Sequence, residues 1–205
     1  RKRSSAASDV YKRQLIIDAK GKFIYPSFID LHSQYGLDPV KNAGRSRGKK
    51  PQIESKKESI FYWNQAVKPE TKAADVVGPK KEAADKYRKM GFGTVLTHQH
   101  DGLLRGTSAL VALNDGDNFK VLQAESASQY SFNKGSSKQS YPSSLMGMIA
   151  LIRQVHFDAK WYVDNRERTE YNRSLAAIKE TKDLPKIFDA YGTLSQLRAD
   201  KIGDE

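Results

Sequence analysis

The chain holds four histidines, and three of them sit in short polar runs of the kind that bind metals: His32 in IDLHSQ, and His98 and His100 in THQHD. Side chains alternate along a strand, so Asp30, His32 and Gln34 project together while Ile29, Leu31 and Ser33 project the other way. By the same rule His98 and His100 share one side, with Asp101 adjacent as a carboxylate suited to orienting an imidazole. Neutral imidazole nitrogens are good zinc donors, whereas the amide oxygen of Gln34 is a poor one, so His32 with Gln34 is not expected to hold a catalytic metal in the usual way. His98 and His100 form the expected compensating pair, facing the same opening as His32. The plainer expectation is a hydrogen-bonded polar cluster. His156, on a helical stripe, is expected to be packed and hydrogen-bonded rather than a ligand.

Other chemistries fail on spacing. The absence of cysteine excludes disulfides, thiolate metal sites and a cysteine nucleophile. A phosphate loop fails because Gly44 and Gly48-Lys49 are separated by three residues instead of four, and Lys50 stands where Ser or Thr is needed. A serine-hydrolase elbow fails because Leu110 follows Gly106 and Ser108 where glycine is required. The run His98-Gln99-His100-Asp101-Gly102 is similar to the His-x-His-x-Asp-His loop of metallo-β-lactamases, but the spacer is missing and Gly102 replaces the last histidine.

The elements that must position these residues read as follows. Leu15 to Tyr25 predicts two short strands around a turn at Ala19-Lys20-Gly21. Phe28 to Leu31 is a short apolar strand after Pro26. Residues 37–57, rich in Gly, Pro, Lys and Arg, predict a long exposed loop, and the aromatic run SIFYWNQAV is expected to pack that loop onto the body of the protein. Pro79 starts a helix with Ala83, Ala84, Tyr87 and Met90 on one side, stopped by Gly91. Thr94 to Thr97 then form a strand, which completes a strand-helix-strand unit with a parallel sheet. Further short strands are predicted at 106–111 and 119–125 around a turn at 114–116, followed by a polar loop over 130–141. Ser143 or Ser144 caps the strongest helix, whose stripe is Leu145, Met148, Ile149, Ile152, His156 and Ala159. A second helix is predicted over 166–182, a third over 185–191, and a strand over 194–199.

Two stretches carry a resemblance. PSFIDLHSQYG, residues 26–36, resembles the first metal-binding strand of the amidohydrolase superfamily, P-G-F-I-D-x-H-x-H-G, with Ser27 and Gln34 as departures. GFGTV, residues 91–95, resembles that family's second strand, G-x-T-T-V. In addition, YPSSLMGMIALIRQVHFDAKWY is similar to a segment of large bacterial, imidazolonepropionase-like amidohydrolases. The resemblance implies an α/β fold: the first half of an incomplete TIM-like (β/α) barrel over 26–205, with a stub of the N-terminal β-sandwich at 15–25. It also implies zinc or another divalent metal in the parent protein and hydrolysis of a C–N bond in a small cyclic amide, amidine or peptide-like substrate. The remaining half of the barrel, in the same polypeptide, is the implied partner. The family's acid-base aspartate comes from the last barrel strand, so this piece alone is expected to be inactive, with no catalytic residue of its own; His32, His98 and His100 are the candidate metal ligands. Arg198 takes the expected place of a later histidine ligand. The alternative is a catalytically silent amidohydrolase-like domain that supports or binds another.

Composition sets the remaining bounds. At 205 residues and 38% hydrophobic content the chain can bury a core, and no run approaches the roughly 18 apolar residues of a membrane span. The net charge of +11 suggests a polyanion partner, but residues 4–14, SSAASDVYKRQ, resemble a translated sequencing adapter. Without residues 1–14, which carry five basic residues and one acidic residue, the charge is +7. Neither nucleic acid nor membrane is expected as a partner, and the compartment is not readable.

Overall fold

A short connection cannot return a chain to run parallel to the strand it has just left, and this rule explains most of the topology. The computed structural model describes residues 18–41, 50–57, 60–114 and 119–204; the tail 1–14, the first hairpin residues, residues 42–49 of the basic loop and residues 115–116 of the expected turn lie outside them. Strand β1 (Phe28–Ser33) and strand β2 (Phe92–Thr97) pair in parallel, with helix α1 (Lys81–Lys89) between them, as the strand-helix-strand reading expects. Strand β3 (Leu104–Ala112) then pairs antiparallel to β2, and β4 (Lys120–Ser131) antiparallel to β3. Only residues 98–103 join β2 to β3, too few for a parallel crossover, which takes about a dozen residues. Strand β5 (Lys186–Asp189) pairs in parallel with β4, giving the order β1-β2-β3-β4-β5.

Four strands therefore run one way and β3 runs against them. The α/β expectation holds in its coarser form: the described residues form a mixed five-stranded sheet, curled like half a barrel and compatible with an incomplete one, with four α-helices, and β3 departs from the parallel order of a TIM-like barrel. One consequence governs the site. The C-terminal ends of β1, β2, β4 and β5 and the N-terminal end of β3 all meet at one rim.

Apolar side chains cover the sheet in two clusters. Under α1, Ala84, Val95, Ala109, Val111 and Leu113 are buried with Tyr35. The expected stripe of α1 stops short, because Met90 is 60% exposed. The larger cluster joins Leu103, Leu104 and Tyr130 to Leu151, Ile152, Val155 and Tyr162 of helix α2 (Leu145–Asp164), and to Leu175 of α3 (Arg173–Glu180). Ser144 caps α2, its Oγ accepting from the Gly147 N–H at 3.2 Å. The helix expected over 166–182 is split: a single 3-10 turn at 166–168 precedes α3, which Asn172 caps by accepting the Leu175 N–H at 3.0 Å. The aromatic run packs as expected, with Tyr62 buried and Trp63 stacked on Tyr141.

The end of the chain reverses two expectations. Residues 185–191, read as a helix, contain β5, while the strand read at 194–199 lies in helix α4 (Thr193–Gly203). Ile187 and Phe188 face β4 in register with Gln129 and Tyr130, an environment that favours their extended form. Leu194, Gln196, Leu197, Arg198 and Ala199 are good helix formers, and Gly192 at φ +81° makes the turn into the helix. Near residue 21 the expected turn is present, Lys22 N–H donating to Ala19 C=O at 2.9 Å, but residues 18–27 form no strand. β1 is an outer strand of the sheet, and Phe28, Ile29 and Leu31 are each more than half exposed. No helix among the described residues is long and apolar enough to cross a membrane.

Candidate metal centre

The parallel pairing of β1 and β2 builds the site. Ser33 lies opposite Thr97 on the last rung, and the His98 N–H donates to the Ser33 carbonyl at 3.1 Å, so His32 and His98 leave adjacent strand ends on the same rim. His100 comes back over them from the turn that leads to β3. The three rings form a cluster, with centroids 5.1 Å apart for His32 and His98, 4.2 Å for His32 and His100, and 4.3 Å for His98 and His100. One nitrogen from each ring lies within 4.8 Å of the other two. A tetrahedral zinc with nitrogens at about 2.05 Å separates them by roughly 3.3 Å, so a modest ring rotation closes the set. His32 is exposed on the outer strand.

The expectation of a hydrogen-bonded polar cluster does not hold for His98 or for Nε2 of His100. His98 is fully buried, and neither of its ring nitrogens has a partner; His100 Nε2 is also buried and unpartnered. Burial, then the charges of His100, Arg105 and His32, push the His98 imidazole down from 6.5 to about 2. Burial, followed by His32 and Arg105, lowers His100 to about 4 against the opposing pull of Asp189 and Asp30. Both rings are neutral at physiological pH, the form that binds a metal. Buried donors with nothing to bond and a nitrogen-only set are the arrangement that a transition dication would satisfy.

Two residues singled out in the sequence lie elsewhere. Gln34 begins the turn after β1, with an exposed side chain, and its carbonyl accepts from the Leu37 N–H at 3.2 Å. Asp101 does not orient an imidazole: its carboxylate takes the Lys68 ammonium, the Ser136 N–H at 2.7 Å and the Ser136 hydroxyl at 2.9 Å. Burial pushes the Asp101 carboxyl up, but Lys68 and the Ser136 N–H outweigh it and hold it below its ordinary range. Gly135, at φ +60°, leaves room for this seat, because a Cβ there would come within 2.1 Å of Asp101 Oδ1. His156 is packed as expected, stacked on Tyr130 with Nε2 at 3.3 Å from the Tyr130 hydroxyl. Arg198, on α4, is not at a strand end at all.

Sequence reasoning missed one pair at the rim. Arg105, at the start of β3, is 3% exposed and donates to Asp189 at the end of β5 at 2.9 Å. An arginine inside a strand of small and apolar residues, LRGTSALVA, is the signal that was available. Its partner was hidden by reading residues 185–191 as a helix.

No family model matches the chain, and no curated protein matches it. Among solved structures, an amidohydrolase from Thermotoga maritima MSB8 superposes with a TM-score of 0.68 at 21% identity, covering 94% of this chain and 52% of that one. The chain thus spans about half the length of the structure it matches. The likeness supports an amidohydrolase-like fold.

Proposed function

We propose that the chain is the N-terminal part of a metal-dependent, amidohydrolase-like hydrolase that cleaves a C–N bond in a cyclic amide, amidine or peptide-like small molecule. The observation that carries this reading is the position of His32, His98 and His100 at the strand-end rim of a sheet whose fold matches an amidohydrolase. A divalent metal there would activate a water molecule and polarise the scissile carbonyl. His32, His98 and His100 would hold it as neutral donors. Arg105, fixed by Asp189, adds positive potential that favours a substrate carrying a carboxylate or a developing oxyanion.

Among the described residues, the rim carboxylates already have partners, Asp189 being paired with Arg105. Asp30 Oδ1 accepts the His32 N–H at 3.0 Å, and Asp101 is engaged by Lys68 and Ser136. The base and the remaining barrel strands come from the rest of the polypeptide, which would cover Phe28, Ile29 and Leu31 on the open edge. The test is hydrolysis of a panel of cyclic amides and dipeptides by the full reading frame, with and without chelator. Chelator-sensitive turnover that is absent from residues 1–205 alone is the expected result; turnover indifferent to chelator would reject the reading.

A second reading, a silent amidohydrolase-like domain, is favoured by one observation: an exposed Gln34 stands in the turn after β1 where the family's second histidine would be, so the usual first-strand pair is broken. Metal binding by the full protein without turnover on any of the panel would select it.

A further inference from the structure

We propose that His32, His98 and His100 form a three-imidazole site for one transition-metal dication of the zinc type, complete within this chain and independent of position 34. The proposal deepens the hydrolase reading and rests on its metal site, committing that site to one class of ion, and ion binding and turnover are read out separately.

Three observations converge. First, three of the four histidines in the sequence come together, one from β1 and two from the connection after β2, which only folding makes neighbours. Second, His98 is fully buried with both nitrogens unpartnered, and His100 Nε2 shares that state. Buried polar atoms are nearly always bonded, and a ligand at the ring cluster supplies the missing partner. Third, the two polar neighbours in sequence do not engage the imidazoles. Asp101 is held by Lys68 and Ser136, and Gln34 lies in the following turn.

The donor set also selects the ion. Nitrogen donors suit zinc, cobalt, nickel and copper, whereas magnesium and calcium require oxygen. Three protein ligands leave a fourth position for water or an anion. The ion would tie the exposed edge strand β1 to β2 through His32, so binding should order that edge. Arg105 stands near the rings, and its ion pair with Asp189 offsets part of its charge.

The experiment is calorimetric titration of the 205-residue chain, without a polyhistidine tag, with zinc chloride, cobalt chloride and magnesium chloride. One equivalent of zinc or cobalt should bind and magnesium should not. His32→Ala and the double variant His98→Ala/His100→Ala should each lose more than the roughly 10–100-fold that removal of an outer-shell partner costs, while Gln34→Ala keeps the parent affinity. His32 is exposed, so His32→Ala removes a ligand without disturbing the core, and circular dichroism verifies that the fold is retained. Zinc bound with unchanged affinity by His32→Ala, or no zinc bound by the parent chain, would overturn the site. Stoichiometric, histidine-dependent binding in a protein that hydrolyses nothing would still establish the site while rejecting the hydrolase.

Discussion

The backbone N–H of His98 donates to the carbonyl of Ser33 at 3.1 Å, one rung beyond the pairing of Ser33 with Thr97. That bond extends the β1-β2 ladder into the connection to β3 and fixes His98 next to the residue that follows His32, while His100 is carried by the connection itself. The rings inherit their proximity from a parallel pairing, and α1 is the crossover that makes the pairing parallel.

A buried imidazole with no partner costs stability when no ion is bound. His98→Leu should therefore stabilise the metal-free chain by about 1–2 kcal/mol while abolishing zinc binding. Urea unfolding in the presence of chelator measures the first effect and calorimetry the second; destabilisation of the metal-free chain would mean that His98 has a bonding partner.

Asp101 behaves differently. Asp101→Asn should destabilise the chain by about 1–3 kcal/mol, because Lys68 and the loop around Ser136 lose a charged acceptor, and zinc affinity should stay as it is. The same urea and titration experiments check both halves of this prediction.

Arg105 is almost completely buried, whereas Asp189 is about one-third exposed. Asp189→Ala leaves the guanidinium without its carboxylate and should cost about 1–2 kcal/mol after allowance for solvent at Asp189. Asp189→Glu should recover part of the loss if the pair, rather than the packing of β5, is responsible. Thermal unfolding of the two variants decides.

Much of this was legible in the sequence where local and global signals agree. Gly91 ends a helix and Thr94 to Thr97 begin a strand, so the strand-helix-strand unit is clear; Ser144 caps α2, and His156 packs on its stripe. Burial and direction were not legible. The reversal of β3 follows from a connection whose length shows only once the strand ends are known. The exchange of β5 and α4 arises because Ile187 and Phe188 gain their extended form from pairing with β4, which no local propensity encodes. The convergence of His32 with His98 and His100 was anticipated as a shared opening, but the unpartnered nitrogens of His98 and the engagement of Asp101 with Lys68 depend on tertiary neighbours.

His156 supplies a pH test away from the rim. Burial, then the Lys186 charge, lowers its imidazole below 6.5 in the folded chain. The unfolded chain therefore takes the proton first as pH falls. The contribution of His156 is complete above pH 6.5 and declines below it, with a slope of at most about 1.4 kcal/mol per pH unit, until the folded imidazole also protonates. His156→Phe should remove that component; urea unfolding at pH 7.5 and 5.5, parent against variant, shows whether the decline becomes shallower.

The most direct measurement of the central claim is an anomalous-difference map at the zinc edge from crystals of the chain grown with zinc. The account predicts one peak at about 2.1 Å from one nitrogen each of His32, His98 and His100. A fully occupied zinc elsewhere, with the nitrogens of His98 still unpartnered, would contradict it.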